Sequence, residues 1–359
     1  MKRARNFGPG PAALPEEVLR QAADAVVEVA GTGMSVLEIS HRSRAYEAIH
    51  EAARSGILDL TGLDSTEYDV LFLGGGASLQ FLMAPLNFLG PDGCADYIDT
   101  GSWSLKAIAE ARRVGTVRVA ASSAAEGYRC LPDVGELDPT ARYVHLTSNN
   151  TIEGTQWTSI PEGCHAPLVA DMSSDFLSRR RAFDRYSLIY AGAQKNAGPA
   201  GVTIVVARRS FLEGARADLP PMLSYRIHQR EKSVYNTPPV FAVYVVSLVC
   251  AWISGLGGLA EMERRNDAKA AIVYAMLDAH DDVYEPVVTE KAHRSSMNVT
   301  FRLRDASREG SFLCGAEARG MVGLKGHRSV GGLRASLYNA VPMEWAEALA
   351  DYMAEFARS

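Results

Sequence analysis

Residues 68–90 read YDVLFLGGGASLQFLMAPLNFLG. A short apolar run stopped by three glycines predicts a buried strand over 68–76, and the segment 78–90 behind it predicts a helix. A strand–glycine–helix turn presents backbone N–H groups and the positive end of a helix to an anion. A dinucleotide fold would place GxGxxG at this turn. That pattern is missing here, so a single phosphate group is the better match. Plain tight packing uses the same kind of turn.

The pattern repeats outward from this stretch. Residues 14–30 (LPEEVLRQAADAVVEVA) predict a helix, with Pro15 at a first helical position and Glu16 and Glu17 at the positive end of its dipole. A second helix is predicted over 43–63 and a third over 102–115. Strands are predicted over 94–101, 116–122, 141–148, 167–174, 186–193 and 201–208. Strands alternating with helices over two thirds of a chain are the signature of an open, mostly parallel α/β sheet covered on both faces. The last third differs: a long helix over 261–280, a strand in SMNVTFRL, part of a short helix in GAEARGM, a strand or turn in LRASLYNA, and a helix over 343–357. The fold expected is therefore a large α/β domain, residues 15–262, with a smaller α+β domain made of 1–14 and 263–359.

Composition narrows the function. With 359 residues, 47% hydrophobic and 22% charged, the chain has material for a sizeable core. The net charge of −5 argues against a broad nucleic-acid surface, which needs basic excess. Cys94, Cys130, Cys164, Cys250 and Cys314 are scattered and form no CxxC pair, so neither a disulfide framework nor a metal site is expected, and a reducing cytoplasm is. The N-terminal MKRARNFGPGPAALP has no apolar core behind its basic residues and does not read as a signal peptide. The most apolar stretch, 238–258, opens on two prolines and closes on Gly-rich residues; about 16 residues lie between, short of the roughly 20 a membrane span needs, so a buried helix is expected.

Unusual side chains gather at the strand ends, where α/β sheets bind their ligands. Asp171 ends the strand in PLVADMSSD, and Lys195 follows the strand YSLIYAGA amid small residues. A carboxylate at a strand end also serves as a turn cap, but an acid paired with a lysine meets the needs of pyridoxal phosphate (PLP). That cofactor wants a Schiff-base lysine and an acid facing its pyridinium nitrogen. The lysine must lose its proton to attack, which burial and cationic neighbours promote. Trp103 could be an ordinary helix-start core residue or a flat face for a planar ring. HRS occurs twice, at 41–43 and 327–329, with Arg334 shortly after the second copy; this suggests anion recognition by Arg forks. Asn236 and Thr237, in SVYNTPP, have no local purpose beyond capping, and SRRRAFDR (178–185) reads as a solvated loop.

Taken together, NFGPGPAALP, EISHRS, FLGGGASLQF, GSWS, NNTIEGTQW, ADMSSDFLSR, YAGAQKNAGPAG, YNTPP and LKGHRSVGGLRASLYNA resemble the phosphoserine aminotransferase family of fold-type I PLP transaminases. The matching pieces run in order from residue 6 to residue 340. The resemblance implies that Lys195 holds PLP and moves the proton between substrate and cofactor, in ping-pong transfer of an amino group from L-glutamate to 3-phosphohydroxypyruvate for serine biosynthesis. A second product, 4-phosphohydroxy-L-threonine of vitamin B6 synthesis, stays open.

It further implies that Asp171 pairs the ring nitrogen, Trp103 stacks on the ring and Thr151 bonds its polar edge, while Ala77, Ser78 and Gln194 hold the phosphate. Asn236 and Thr237 would reach that phosphate from the other subunit of a homodimer. His41, Arg42 and Arg334 would bind substrate anions, with His327 and Arg328 reaching across from the partner. One departure is Ala77, where some family members carry Arg. An alanine–glyoxylate aminotransferase or a cysteine desulfurase is the alternative within the cofactor class. No cysteine lies in a Gly/Ser-rich loop of the kind a desulfurase needs, and the paired His-Arg segments favour a dianionic substrate. A non-catalytic binding protein of this fold would have lost the lysine or the acid, and both are present.

Overall fold

The computed structural model describes residues 3–359; Met1 and Lys2, the start of the segment 1–14 assigned above to the small domain, lie outside the described residues. In chain order the elements are β1 (Arg5–Asn6), α1 (Glu16–Val27), α2 (Arg44–Thr61), β2 (Tyr68–Leu73), α3 (Gly76–Phe88), β3 (Cys94–Asp99), α4 (Ser102–Ala111), β4 (Thr116–Ser122), β5 (Val144–Thr147) and β6 (Leu168–Asp171). They continue with β7 (Leu188–Gly192), β8 (Thr203–Arg208), α5 (Arg209–Glu213), α6 (Tyr225–Arg230), α7 (Val240–Gly255) and α8 (Gly258–Ala279). The chain ends with β9 (Tyr284–Pro286), β10 (Asn298–Leu303), α9 (Glu309–Ala318), β11 (Met321–Val322), β12 (Leu333–Ser336) and α10 (Met343–Ala357).

Seven strands form one sheet in the order β2-β8-β7-β6-β5-β3-β4. β8 runs antiparallel to both neighbours; the other pairings are parallel. The alternation of side chains across a strand assigns the two faces. Val70 and Phe72 of β2 join the cluster that includes residues of α1, α2 and α7, while Leu71 and Leu73 join the cluster under α3 and α4. Every residue of β5, β6 and β7 is buried, which is why these segments read as unbroken apolar runs rather than alternating ones. Ser43 caps α2 by accepting the Tyr46 N–H at 3.3 Å, and Gly62 closes it in the left-handed conformation at φ 69°.

The apolar stretch 238–258 folds as α7, apolar all round and packed in the core. No single helix among the described residues is long and apolar enough to cross a membrane, and α7 with α8 reach that length only as a pair bent by 84°. A third cluster joins Phe7 to Val273 and Leu277 of α8, Val299 and Phe301 of β10, and Leu349 and Met353 of α10. It is built on the antiparallel sheet β12-β10-β9, beside the short parallel pair β1-β11.

Candidate active site

The carboxyl ends of β2, β3, β5, β6 and β7 converge on one cavity of about 270 Å³. At the end of β2 the chain turns through Gly75 (φ 85°) and Gly76 (φ 64°) into α3, a backbone that side chains rarely adopt. A Cβ on Gly75 would also meet the Leu79 side chain at 2.6 Å. No side chain caps α3, so the N–H groups of its first residues, Gly76, Ala77 and Ser78, stand free at the cavity wall. β3 leads through Thr100 and Gly101 into α4, which carries Trp103. Buried Glu153 fixes that helix start: its Oε1 accepts the Ser102 N–H at 2.8 Å and the Ser102 hydroxyl at 2.7 Å. β6 ends on Asp171 itself, and β7 runs into the turn that bears Gln194 and Lys195. Gly10 lies over this turn: a Cβ there would stand 3.3 Å from Lys195 Cγ, and Ala12 N–H donates to Gln194 O at 2.8 Å.

Lys195 Nζ donates to Thr151 Oγ1 at 2.8 Å and lies 5.6 Å from the centre of the Trp103 ring. Burial pulls its pKa down to about 8; the Asp171 carboxylate opposes the shift and the Arg334 guanidinium adds to it. Burial raises the pKa of Asp171, against the Ser173 N–H donated to Oδ1 at 2.9 Å and the Lys195 ammonium. Arg334, on β12, is buried and donates from Nη1 to Thr151 O at 3.0 Å, while its Nε has no protein partner. The buried Trp103 Nε1 and Thr147 Oγ1 are also unpartnered.

This set suits PLP. It offers an uncapped helix start for a phosphate, an indole for a ring, a buried carboxylate for a pyridinium N–H and an amine that sheds its proton near neutral pH.

Nine of the residues singled out from the sequence line this cavity together: Ala77, Ser78, Trp103, Thr151, Asp171, Gln194, Lys195, His327 and Arg334. Five do not line it within one chain. Arg42, Asn236, Thr237 and Arg328 are exposed and His41 is half-buried. His327 lines the cavity of its own chain together with Arg334.

The solvated-loop reading of 178–185 needs correction. Arg181 is buried and ion-paired with the fully buried Asp175, and Arg179 pairs with Glu263 at 2.8 Å. Only Arg180, Ala182, Asp184 and Arg185 have the exposure of a solvated loop.

Asp175 and its partners form a layer behind the cavity that the sequence reading missed. Its carboxylate accepts from Ser148 Oγ, from Gln156 Nε2 at 3.1 Å and from Arg181. Ser148 N–H in turn donates to Asp171 O at 2.9 Å, so the layer braces the end of β6. His145 of β5 is buried separately among residues of the cluster under α3 and α4, stacked on Tyr97 at 4.7 Å and bonded to Tyr190 Oη at 2.7 Å, with burial pushing its pKa down to about 3. The SSD and NNTIEGTQW segments carried the only signal for this layer, as polar residues directly after apolar strands.

The aminotransferase class-V family pattern matches residues 5–349. The phosphoserine aminotransferase of Geobacillus kaustophilus is 52% identical over 362 residues, which span 100% of this chain and 99% of that protein. The structure of phosphoserine aminotransferase from Bacillus circulans subsp. alkalophilus superposes with a TM-score of 0.96 at 48% identity, covering 100% of this chain and 99% of that one. PLP-bound phosphoserine aminotransferase from Trichomonas vaginalis gives a TM-score of 0.91 at 36% identity over 98% and 100% of the two chains.

Proposed function

The chain belongs to the aminotransferase class-V family, and from that membership we propose that it is a PLP-dependent phosphoserine transaminase. It takes the amino group of L-glutamate and passes it reversibly to 3-phosphohydroxypyruvate, giving 2-oxoglutarate and O-phospho-L-serine in serine biosynthesis. The observation that carries this reading is the Lys195 amine held at the cavity beside Asp171 and Trp103, with the uncapped start of α3 in the same wall.

When bound, PLP supplies an electron sink that stabilises negative charge at the substrate Cα. Lys195 would hold it covalently through Nζ. With a pKa of about 8, the freed amine is deprotonated in a useful fraction near neutral pH and would move the proton from the substrate Cα to the cofactor carbon in one half-reaction and back in the other. Asp171 would face the ring nitrogen; a positive N–H there favours its carboxylate form against the cost of burial. Trp103 would cover one face of the ring and Thr151 its polar edge. The free N–H groups of Ala77 and Ser78, with Gln194, would receive the cofactor phosphate. Arg334, with N–H groups to spare, would take a substrate carboxylate.

Five further residues complete the proposed site. We assign Asn236 and Thr237 to the cofactor phosphate and Arg328 to substrate anions, each across the interface of a homodimer with shared sites, and His41 and Arg42 to substrate anions. The exposure of Asn236, Thr237 and Arg328 in the single chain supports the crossing. We also assign 15–262 to a PLP-binding domain and 1–14 with 263–359 to a small domain. The separate apolar cluster that joins Phe7 to α8–α10 supports that division. The five free cysteines support a reducing, cytoplasmic setting.

A coupled assay with glutamate and a panel of keto acids tests the reading. The highest kcat/KM is expected for 3-phosphohydroxypyruvate, and the precursor of 4-phosphohydroxy-L-threonine belongs in the panel as the second phosphorylated acceptor. Preference for glyoxylate or pyruvate would overturn it.

A further inference from the structure

We propose that Lys106 is a specificity-determining residue of this site, its ammonium drawing in the distal phosphate of the amino acceptor. The inference rests on the phosphoserine transaminase reading and deepens it.

Lys106 lies three residues after Trp103 on α4, so the two share a helix face. Its Nζ stands 4.3 Å from the centre of the Trp103 ring, and Lys195 Nζ stands 5.6 Å from the same centre. The indole that borders the cavity therefore has two ammonium groups around it. One is half-buried and faces the cavity; the other is exposed. Among the described residues no carboxylate lies within ion-pair distance of Lys106; the nearby Glu153 is already engaged with Ser102.

Both substrates carry two anionic ends. Within the cavity, Lys195 is committed to the cofactor and buried Arg334 can serve one end. Ala77 contributes no charge. His327 lines the cavity, but burial together with the Arg334, Arg328 and Lys106 charges holds its pKa below the usual histidine value. The same cations that would attract an anion thus disfavour a charge on His327 itself. Besides buried Arg334, the full positive charges that act on it are Arg328, on its own loop, and Lys106, on α4. Both are exposed and without an ion-pair partner among the described residues, but Lys106 is anchored against Trp103. A phosphate near pH 7 carries almost twice the charge of the γ-carboxylate of glutamate, so one ammonium fixed beside the indole that borders the cavity favours the phosphorylated acceptor.

The test compares wild type, Lys106→Met and Lys106→Arg as holoenzymes. Methionine keeps the length and the packing on Trp103 and removes the charge; arginine restores the charge. In Lys106→Met, KM for 3-phosphohydroxypyruvate is expected to rise about three- to tenfold while KM for glutamate rises less than about twofold. Lys106→Arg is expected to recover most of the loss. The wild-type advantage should shrink as salt rises, and PLP affinity, read by fluorescence quenching, should stay the same. Equal KM changes for both substrates, or a loss of PLP affinity that arginine does not rescue, would make Lys106 a prop for Trp103 and overturn the proposal. An unchanged KM for 3-phosphohydroxypyruvate in Lys106→Met overturns it as well. A wild-type enzyme that does not use 3-phosphohydroxypyruvate at all overturns the transaminase assignment first, and this proposal with it.

Discussion

Two lysines of this chain are withdrawn from water, and only one of them sits at a cavity. Lys195, after β7, has its pKa pulled to about 8, and Lys269, in the middle of α8, to about 7. Burial is the leading cause in both. Their surroundings differ. Lys269 Nζ donates to Leu337 O at 3.0 Å and to Tyr338 O at 2.8 Å. It fastens α8 to the segment that follows β12, the strand carrying Arg334. One turn earlier on α8, Asn266 makes a parallel tie to Asn339 at 2.8 Å. Lys195 instead has a hydroxyl partner, a carboxylate acting on it, an indole beside it and room in front of it. A depressed lysine pKa therefore marks desolvation, and chemistry needs access as well. Judged by the shift alone, Lys269 would rank first.

The comparison breaks most sharply on paired substitutions. Lys195→Ala removes the amine that moves the proton, and single-turnover absorbance with glutamate should show a loss of at least about 10²–10⁴-fold. PLP should still bind through the remaining contacts, but borohydride should no longer fix it to the protein. Lys269→Met leaves the chemistry in place: turnover of the folded holoenzyme should match wild type. Its cost should appear in urea unfolding, on the order of 1–3 kcal/mol, because two buried carbonyls lose their donor. A Lys269→Met enzyme that is fully stable but slow would collapse the distinction drawn between the two lysines.

Asp171→Asn sharpens the comparison from the acid side. The amide can still accept the Ser173 N–H, but it no longer carries charge. The Asp171 carboxylate raises the pKa of Lys195, so its removal should lower that pKa further below about 8 in the cofactor-free protein. The pH profile of Lys195 acylation would show this shift. Turnover should nevertheless fall on the order of 10²–10³-fold, because the ring nitrogen loses its counter-charge. A more readily deprotonated lysine in a slower enzyme would separate the two roles. An acylation profile that does not move would mean that Asp171 does not act on Lys195.

Much of this was legible in the sequence, and physical reasons divide what was from what was not. The strands were legible because parallel strands buried on both faces leave short apolar runs such as LVAD and TIVVAR. Asp171, Trp103 and Lys195 stood out because chemistry requires types that the end of an apolar strand or a run of small residues does not supply. Arg181 was misread because charge in a run of three arginines looks solvated. Its burial depends on Asp175, six residues earlier, being brought beside it by the turn after β6. Lys106 and Lys269 were invisible for a related reason. Each sits at ordinary helical spacing, and what sets it apart lies on another element or in the side chain one turn away.

The smallest effect expected is a slope. An unfolded lysine holds its proton up to about 10.5, whereas folded Lys269 releases it near 7 and, without cofactor, Lys195 near 8. Between those values the unfolded chain binds more protons than the native one, so stability rises with pH. The penalty for burying the charge is fully present below about pH 7 and fades upward. Each group contributes at most about 1.4 kcal/mol per pH unit within its window. Urea midpoints of the cofactor-free protein from about pH 7 to about pH 9.5 should therefore climb in wild type. They should climb less in Lys195→Ala and least in Lys269→Met, whose window opens lower. Cysteines and tyrosines titrate alike in all three proteins, so the differences between slopes isolate the lysines. Equal slopes would mean that the two carbonyls hold Lys269 as an ammonium at neutral pH, and the latch would then be an ion–dipole contact rather than a neutral hydrogen bond.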